Sequence, residues 1–299
     1  MIYRPFFRLQ VLDPIFKKYT NKESRFYSID GINIHYRDEG KGFPVVLLHG
    51  AFSSLHTFDA WVNELKSEYR IIRYTLPGFG LTGPTIDNDY GIDRQIGYLM
   101  DLLDHLDIRV CHICGSSLGG WLAWESVLKH PGRFEKLILI SPAGFLDNNS
   151  IPSPFRMART PFLKHIVRYS VKRPVLTYFL REVYGDPEKI TRELVDRYYE
   201  LFTRNGNVEA FFRLVNSKYK DNSLHLKQIK HPTLILWGEE DNWLPLHHGY
   251  RFTTAIPNSR LFTYAGVGHL PMEEIPFRTS RDLRKFLKAS RKNVQKIPA

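Results

Sequence analysis

The sequence predicts an α/β fold: a doubly wound, mostly parallel sheet with a helical cap inserted after the strand that follows the Ser117 helix. Three observations carry this. Through residues 44–140, apolar runs alternate with amphipathic helical stretches, the pattern of a sheet covered on both faces. The alternation then stops for about 80 residues, too long for a structureless loop in a compact domain, before strand patterns resume near Pro232. Finally, the apolar run beginning at Cys111 ends in Gly115-Ser116-Ser117-Leu118-Gly119 and opens directly into a helical pattern, the signature of a tight strand-to-helix turn.

The elements follow in order. Residues 1–23 form an amphipathic arm, with Leu9, Leu12, Phe16 and Tyr19 on one helical face and Pro14 breaking or restarting the helix. Phe26–Ile29 and Ile32–Tyr36 alternate apolar and polar residues around Asp30-Gly31, a hairpin signature. Pro44–Leu48 is continuously apolar, as a strand buried on both faces requires, and a helix follows from about Thr57 to Lys66. Ile71–Thr75 is the next strand. Ile92, Ile96, Leu99, Leu103 and Leu106 recur at helical spacing, so Ile92–Leu106 is a helix. Val110–Cys114 and Leu137–Ile140 flank the Ser117 helix as strands. Residues 145–226 are the cap, with helices predicted from Thr191 to Arg204, begun by Asp186-Pro187-Glu188, and from about Asn207 to Lys218. Pro232–Trp237 and Ser259–Tyr264 complete the sheet, and a helix follows Pro276. The core therefore comprises residues 24–144 and 227–299.

Composition narrows the function. With 299 residues, 43% of them hydrophobic, the chain can bury one large core, and it has no apolar run long enough for a membrane span. Arg4, Pro5 and Arg8 interrupt the N-terminus before a signal-peptide core can form, which predicts a cytoplasmic protein. The two cysteines, Cys111 and Cys114, are three apart on a strand and point to opposite faces, against a disulfide or a metal site. The formal charge of +11 is dispersed and no nucleic-acid motif organises it, so no nucleic-acid partner is expected. The basic N-terminal arm is the candidate for weak peripheral contact with anionic lipid. Nothing in the sequence fixes the oligomeric state.

In an open parallel sheet, functional residues gather beyond the carboxyl ends of the strands. His49–Phe52, Ser117, Asp241 and His269 each follow a predicted strand and should converge. Ser117, with Gly115 and Gly119 two residues to either side, suits a nucleophile. It needs a base, and a histidine titrates near neutral pH, which suits His269 on its Gly-flanked loop. The base needs a carboxylate to fix its tautomer, for which Asp241 is the choice and Asp147, after an earlier strand, the reserve; Glu239 and Glu240 are solvated loop charges. The amides of Leu118, at a helix N-terminus, and Ala51, with Phe52 as second choice, are the oxyanion donors. His49 holds its turn by hydrogen bonding, and His247 and His248 are exposed helix-start residues. Phe52, Trp121 and Met272 are the pocket candidates; Trp124 reads equally as core.

From Ser24 to Ala289 the chain resembles the α/β-hydrolase superfamily, with Ser, Asp and His in that order, His49-Gly50, Pro77-Gly78-Phe79-Gly80 and His269–Pro276 as supporting motifs. Leu76–Pro84 and Tyr184-Gly185-Asp186-Pro187 are similar to capped bacterial esterases, lipases and carbon–carbon bond hydrolases. Thr75 stands where many relatives carry an acid, a difference that concerns loop anchoring. The resemblance implies a serine hydrolase working through an acyl-enzyme, without metal or cofactor, on a small-molecule ester with an apolar part. Two alternatives stand beside it. One is a carbon–carbon bond hydrolase of vinylogous diketones from aromatic breakdown, for which a cap arginine such as Arg181 would bind carboxylate. The other is a non-catalytic binding protein of the same fold, disfavoured because Ser117, Asp241 and His269 are all present.

Overall fold

The computed structural model describes residues 13–145, 151–160 and 171–289. Helix α1 (Pro14–Tyr19) begins at Pro14, which occupies the first helical turn where its missing N–H costs nothing, and the Asp13 side chain caps it. Phe16 and Tyr19 are buried with Leu81 and Leu201, so this end of the predicted arm packs on the body; residues 1–12 lie outside the described residues. Strands β1 (Ser24–Ile29) and β2 (Ile32–Glu39) form the expected hairpin, with Asp30 and Gly31 both at positive φ as its tight turn requires.

Next come β3 (Phe43–Leu48), a 3₁₀ turn (Leu55–Phe58), α2 (Asp59–Leu65), β4 (Tyr69–Tyr74), α3 (Ile92–His105), β5 (Cys111–Ser116), α4 (Leu118–Lys129) and β6 (Phe134–Ile140). The inserted stretch contributes α5 (Ser153–Arg159), α6 (Arg173–Val183), α7 (Arg192–Phe202) and α8 (Asn207–Val215). The chain returns to the sheet with β7 (Thr233–Gly238), α9 (His247–Ala255), β8 (Ser259–Tyr264), the short α10 (Pro271–Glu274) and α11 (Pro276–Lys288).

The eight strands lie in the order β1-β2-β4-β3-β5-β6-β7-β8, parallel from β4 onward and antiparallel at the β1–β2 edge. Every residue of β5 and β7 is buried, because helices cover both faces; that is why these strands read as apolar runs rather than as alternating patterns. Cys111 and Cys114 are buried free thiols. Among the described residues, no helix is long and apolar enough to cross a membrane.

The helix expected from Thr191 starts there, but the Asp186-Pro187-Glu188 signal expected to begin it serves another turn. Asp186 caps a separate 3₁₀ turn, Pro187–Lys189, and α7 begins five residues further on, where the Thr191 hydroxyl accepts from the Leu194 amide at 3.2 Å. A proline four residues before a threonine cap gave two valid start signals, and the longer helix uses the second.

Candidate active site

Ser117 joins β5 to α4 with φ 53° and ψ −116°, a conformation that costs a non-glycine residue about 1–3 kcal/mol and is held only by its surroundings. Two hydrogen bonds from the end of β6 hold it: the Ser117 amide donates to Ile140 and its carbonyl accepts from Ala143, each at 3.0 Å. The flanking glycines are required by close approach. A Cβ on Gly115 would lie 2.0 Å from the Gly119 carbonyl oxygen, and one on Gly119 would lie 2.3 Å from that of Leu48. As the first residue of α4, Leu118 has an amide with no intrahelical carbonyl to meet.

Asp241 and His269, on the loops after β7 and β8, meet in the interior. His269 Nδ1 lies 2.7 Å from Asp241 Oδ2, and the two side chains are 2% and 0% exposed. The second carboxylate oxygen accepts from the amides of Trp243 and Leu244 at 2.9 and 2.8 Å, which fixes the carboxylate plane. With Nδ1–H donating to Asp241, Nε2 carries the lone pair; it is buried and has no hydrogen-bond partner among the described residues. Leaving a buried ring nitrogen unsatisfied costs about 1–3 kcal/mol. Ser117 and His269 line the same cavities.

Among the described residues two cavities meet at Ser117 and His269. The larger, about 270 Å³, is walled by Trp121, Phe155, Leu214, Val215 and Tyr219 with Leu118 at its base. The smaller, about 30 Å³, is bounded by Ala51, Phe52, Phe179, Leu180 and Met272. The three pocket candidates therefore divide, Trp121 to the large lobe and Phe52 and Met272 to the small one. Trp124 is core, its Nε1 donating to the Ala143 carbonyl at 3.0 Å.

His49 behaves as a structural group. Its Nδ1 lies 2.7 Å from the Gly50 carbonyl, its Nε2 accepts from the Leu76 amide at 2.9 Å, and complete burial lowers its pKa to about 4. It thereby ties the Gly50-Ala51-Phe52 loop to the turn after β4. Thr75 anchors that turn, its amide donating to His35 and its carbonyl accepting from the Thr82 hydroxyl at 2.7 Å. Phe52 is held at φ 63° against Phe202 and Phe211.

His248 is a correction. His247 is exposed as expected, but His248 is buried at 2% and lines the large cavity near Phe145. Successive helical positions are rotated by about 100°, so of two adjacent histidines only one faces solvent. Glu239 and Glu240 are exposed as expected, and Asp147 lies outside the described residues.

Sequence reasoning missed the network that joins the His269 loop to the inserted helices. Glu273 accepts from Tyr184 at 2.6 Å, from Arg197 at 2.9 Å, from Tyr198 at 3.0 Å and from the Thr57 hydroxyl. Its neighbour Glu274 accepts from the amides of Gly268 and Gly185 at 2.7 and 3.0 Å, and burial raises its pKa against those hydrogen bonds. The His269 amide itself donates to the Val183 carbonyl at 2.7 Å. Two adjacent acids four and five residues after a candidate base were the available signal.

A family model described as alpha/beta hydrolase fold matches residues 44–276. The chain is 29% identical over 268 residues to an uncharacterized hydrolase, YugF, of Bacillus subtilis, covering 88% of this chain and 97% of that protein. It is also 29% identical over 251 residues to a 2-hydroxy-6-oxo-6-phenylhexa-2,4-dienoate hydrolase of Comamonas testosteroni, covering 79% and 84%. Among solved structures, a meta-cleavage product hydrolase of Pseudomonas fluorescens superposes with a TM-score of 0.78 at 24% identity, over 89% of this chain and 98% of that one. A thermophilic esterase of Thermogutta terrifontis superposes with a TM-score of 0.76 at 23% identity, over the same shares.

Proposed function

Because the chain belongs to the alpha/beta hydrolase fold family, we propose that it is a serine hydrolase that cleaves carboxylic esters through an acyl-enzyme. The observation that carries this reading is the buried Asp241–His269 hydrogen bond with an unpartnered Nε2 on the cavity that Ser117 also lines. In this reading Nε2 takes the Ser117 proton as Oγ attacks the ester carbonyl. The amides of Leu118 and Ala51 stabilise the tetrahedral oxyanion; one such donor is worth about 3 kcal/mol. As the intermediate collapses, His269 returns the proton to the leaving alkoxide, which departs as alcohol. Water then attacks the acyl-enzyme, gives its proton to His269, and the acid is released as Ser117 regains a proton.

The inserted helices act as a cap. They supply Phe155 and Leu214 to the large lobe, beside Tyr219 from the segment that follows them, and Phe179 and Leu180 to the small one, so the substrate is enclosed in apolar walls that strengthen electrostatics at the reacting carbonyl. The unequal lobes favour esters with one long apolar arm and one short arm.

Carbon–carbon cleavage is the second reading, favoured by the dienoate hydrolase among the relatives. Against it, among the described residues the one arginine that shares a cavity with Ser117 is Arg159, on the large lobe and turned to the Val215 carbonyl at 3.4 Å, while Arg197 is committed to Glu273 and Arg181 lines an outer chamber. The test is a panel of aryl and alkyl esters of graded length run beside a ring-fission dienoate. Ester turnover that grows with chain length on one side supports the proposal; dienoate turnover without ester turnover contradicts it.

A further inference from the structure

We propose that the outer chamber at the mouth of the large lobe binds an anionic head, so that the preferred substrate is an amphiphile with an apolar body and a carboxylate or phosphate at the end remote from the ester. The proposal rests on the acyl-transfer reading and adds the group that is recognised. The chamber, about 980 Å³, shares Ile151, Pro152 and Trp243 with the large lobe, so the two spaces adjoin across the same walls. Trp243 is the partition: its amide is held by Asp241, and its ring packs 5.6 Å from that of His269.

Arg156 on α5 and Arg181 on α6 line the chamber, and Arg159, one turn beyond Arg156 on the same side of α5, lines the catalytic lobe. These arginines differ from the others of the inserted helices. Arg173 pairs with Asp196 at 2.6 Å, Arg197 with Glu273 at 2.9 Å and Arg213 with Glu209 at 3.3 Å. Among the described residues no carboxylate pairs with Arg156, Arg159 or Arg181. The sequence has the same bias: residues 151–181 hold seven Lys and Arg and no Asp or Glu.

Among the described residues Glu182 is the one acid lining the chamber, and it is turned onto the wall, accepting from Ser153 Oγ at 2.6 Å and Trp243 Nε1 at 3.0 Å. Two guanidinium groups against one engaged carboxylate leave the chamber positive. A guanidinium fork matches carboxylate and phosphate oxygens in pairs, and a concave basic mouth concentrates anions ahead of an apolar lobe. An amphiphile would thus enter with its chain against Phe155 and Leu214 and its head held outside. That head has two sources, a soluble acid or a lipid headgroup.

The test compares two p-nitrophenyl esters of equal acyl length, one ending in carboxylate and one in its methyl ester, with wild type, Arg156→Gln/Arg181→Gln and Lys172→Gln. Lys172 belongs to the same basic stretch but lines neither space, so it controls for net charge. Expected is a wild-type preference for the charged ester of roughly three- to tenfold in kcat/KM, shrinking towards about 0.5 M salt. It should be lost in the arginine double variant and kept in Lys172→Gln. Co-sedimentation with phosphatidylglycerol against phosphatidylcholine vesicles assigns the source. Selective binding to the anionic vesicles that the double variant loses identifies a lipid headgroup, and a soluble preference alone identifies a free acid. Equal turnover of both esters with no vesicle selectivity, or selectivity that survives in the double variant, overturns the proposal. Loss of turnover together with loss of fluorophosphonate labelling at Ser117 would overturn the acyl-transfer reading instead.

Discussion

Replacing Glu273 with alanine tests whether the inserted helices and the His269 loop form one mechanical unit. Glu273 is 7% exposed and accepts from groups on three elements: Thr57 in the turn after β3, Tyr184 at the end of α6, and Arg197 and Tyr198 on α7. Its loss leaves a guanidinium uncompensated and removes the acceptor of two phenols. Breaking a buried ion pair costs about 3–5 kcal/mol when the remaining charge has no access to water. The Arg197 side chain is 21% exposed and can reach solvent in part, so the lower end applies, about 3 kcal/mol. For a chain of 299 residues that lowers Tm by roughly 5 °C. Denaturant unfolding gives the free energy, and the double variant Glu273→Ala/Arg197→Met apportions it. If the cost lies in the orphaned guanidinium, the double variant is no less stable than Glu273→Ala. Because Glu273 follows His269 by four residues, the single variant should also react more slowly with a fluorophosphonate. A destabilisation under about 1 kcal/mol, or strictly additive losses in the double variant, would refute the reasoning.

Acid should destabilise the fold. His49 is fully buried with its pKa lowered to about 4, so between its ordinary value and 4 the unfolded chain binds a proton that the folded chain does not, and stability falls with pH. At pH 5 this one group costs about 2 kcal/mol relative to neutral pH. His35 and His56, lowered by burial and neighbouring charge, act in the same direction; unfolding free energies that rise on acidification would contradict this. Gly119→Ala should abolish soluble expression, since its Cβ would meet the Leu48 carbonyl oxygen at 2.3 Å; a folded, soluble variant would show that α4 can move away from β3. Phe179→Ala should enlarge the small lobe and extend turnover to esters longer on that side, measured as a shift in the chain-length profile; an unchanged profile would exclude this lobe from substrate binding.

The fold was legible because its strands are covered on both faces. Continuous apolar runs such as Pro44–Leu48 and Thr233–Trp237 leave few alternatives to a buried parallel sheet, and the Gly-flanked Ser117 marks a turn that few other sequences allow. Asp241 and His269 could be placed because both follow strands at the same edge of that sheet. Chain order does not reveal which faces meet across the inserted helices. The contacts of Glu273 with Thr57, Tyr184 and Arg197 span 76 to 216 residues and have no local signature beyond a pair of acids. His248 was misplaced for a similar reason, since two adjacent histidines at a helix start look alike until packing decides which faces inward. The competing start signals at Asp186 and Thr191 show the same limit at short range: both cap a turn, and only tertiary context makes the second one the long helix.

Everything proposed for catalysis depends on Ser117 being a nucleophile activated by His269 and Asp241. Fluorophosphonate labelling followed by peptide mapping tests it without knowledge of the substrate. Expected are a single adduct on Ser117, none in Ser117→Ala at unchanged Tm, and labelling slowed by roughly three to four orders of magnitude in Asp241→Asn, where the base loses its correct tautomer. Labelling at another residue, or a rate untouched by Asp241→Asn, would contradict it.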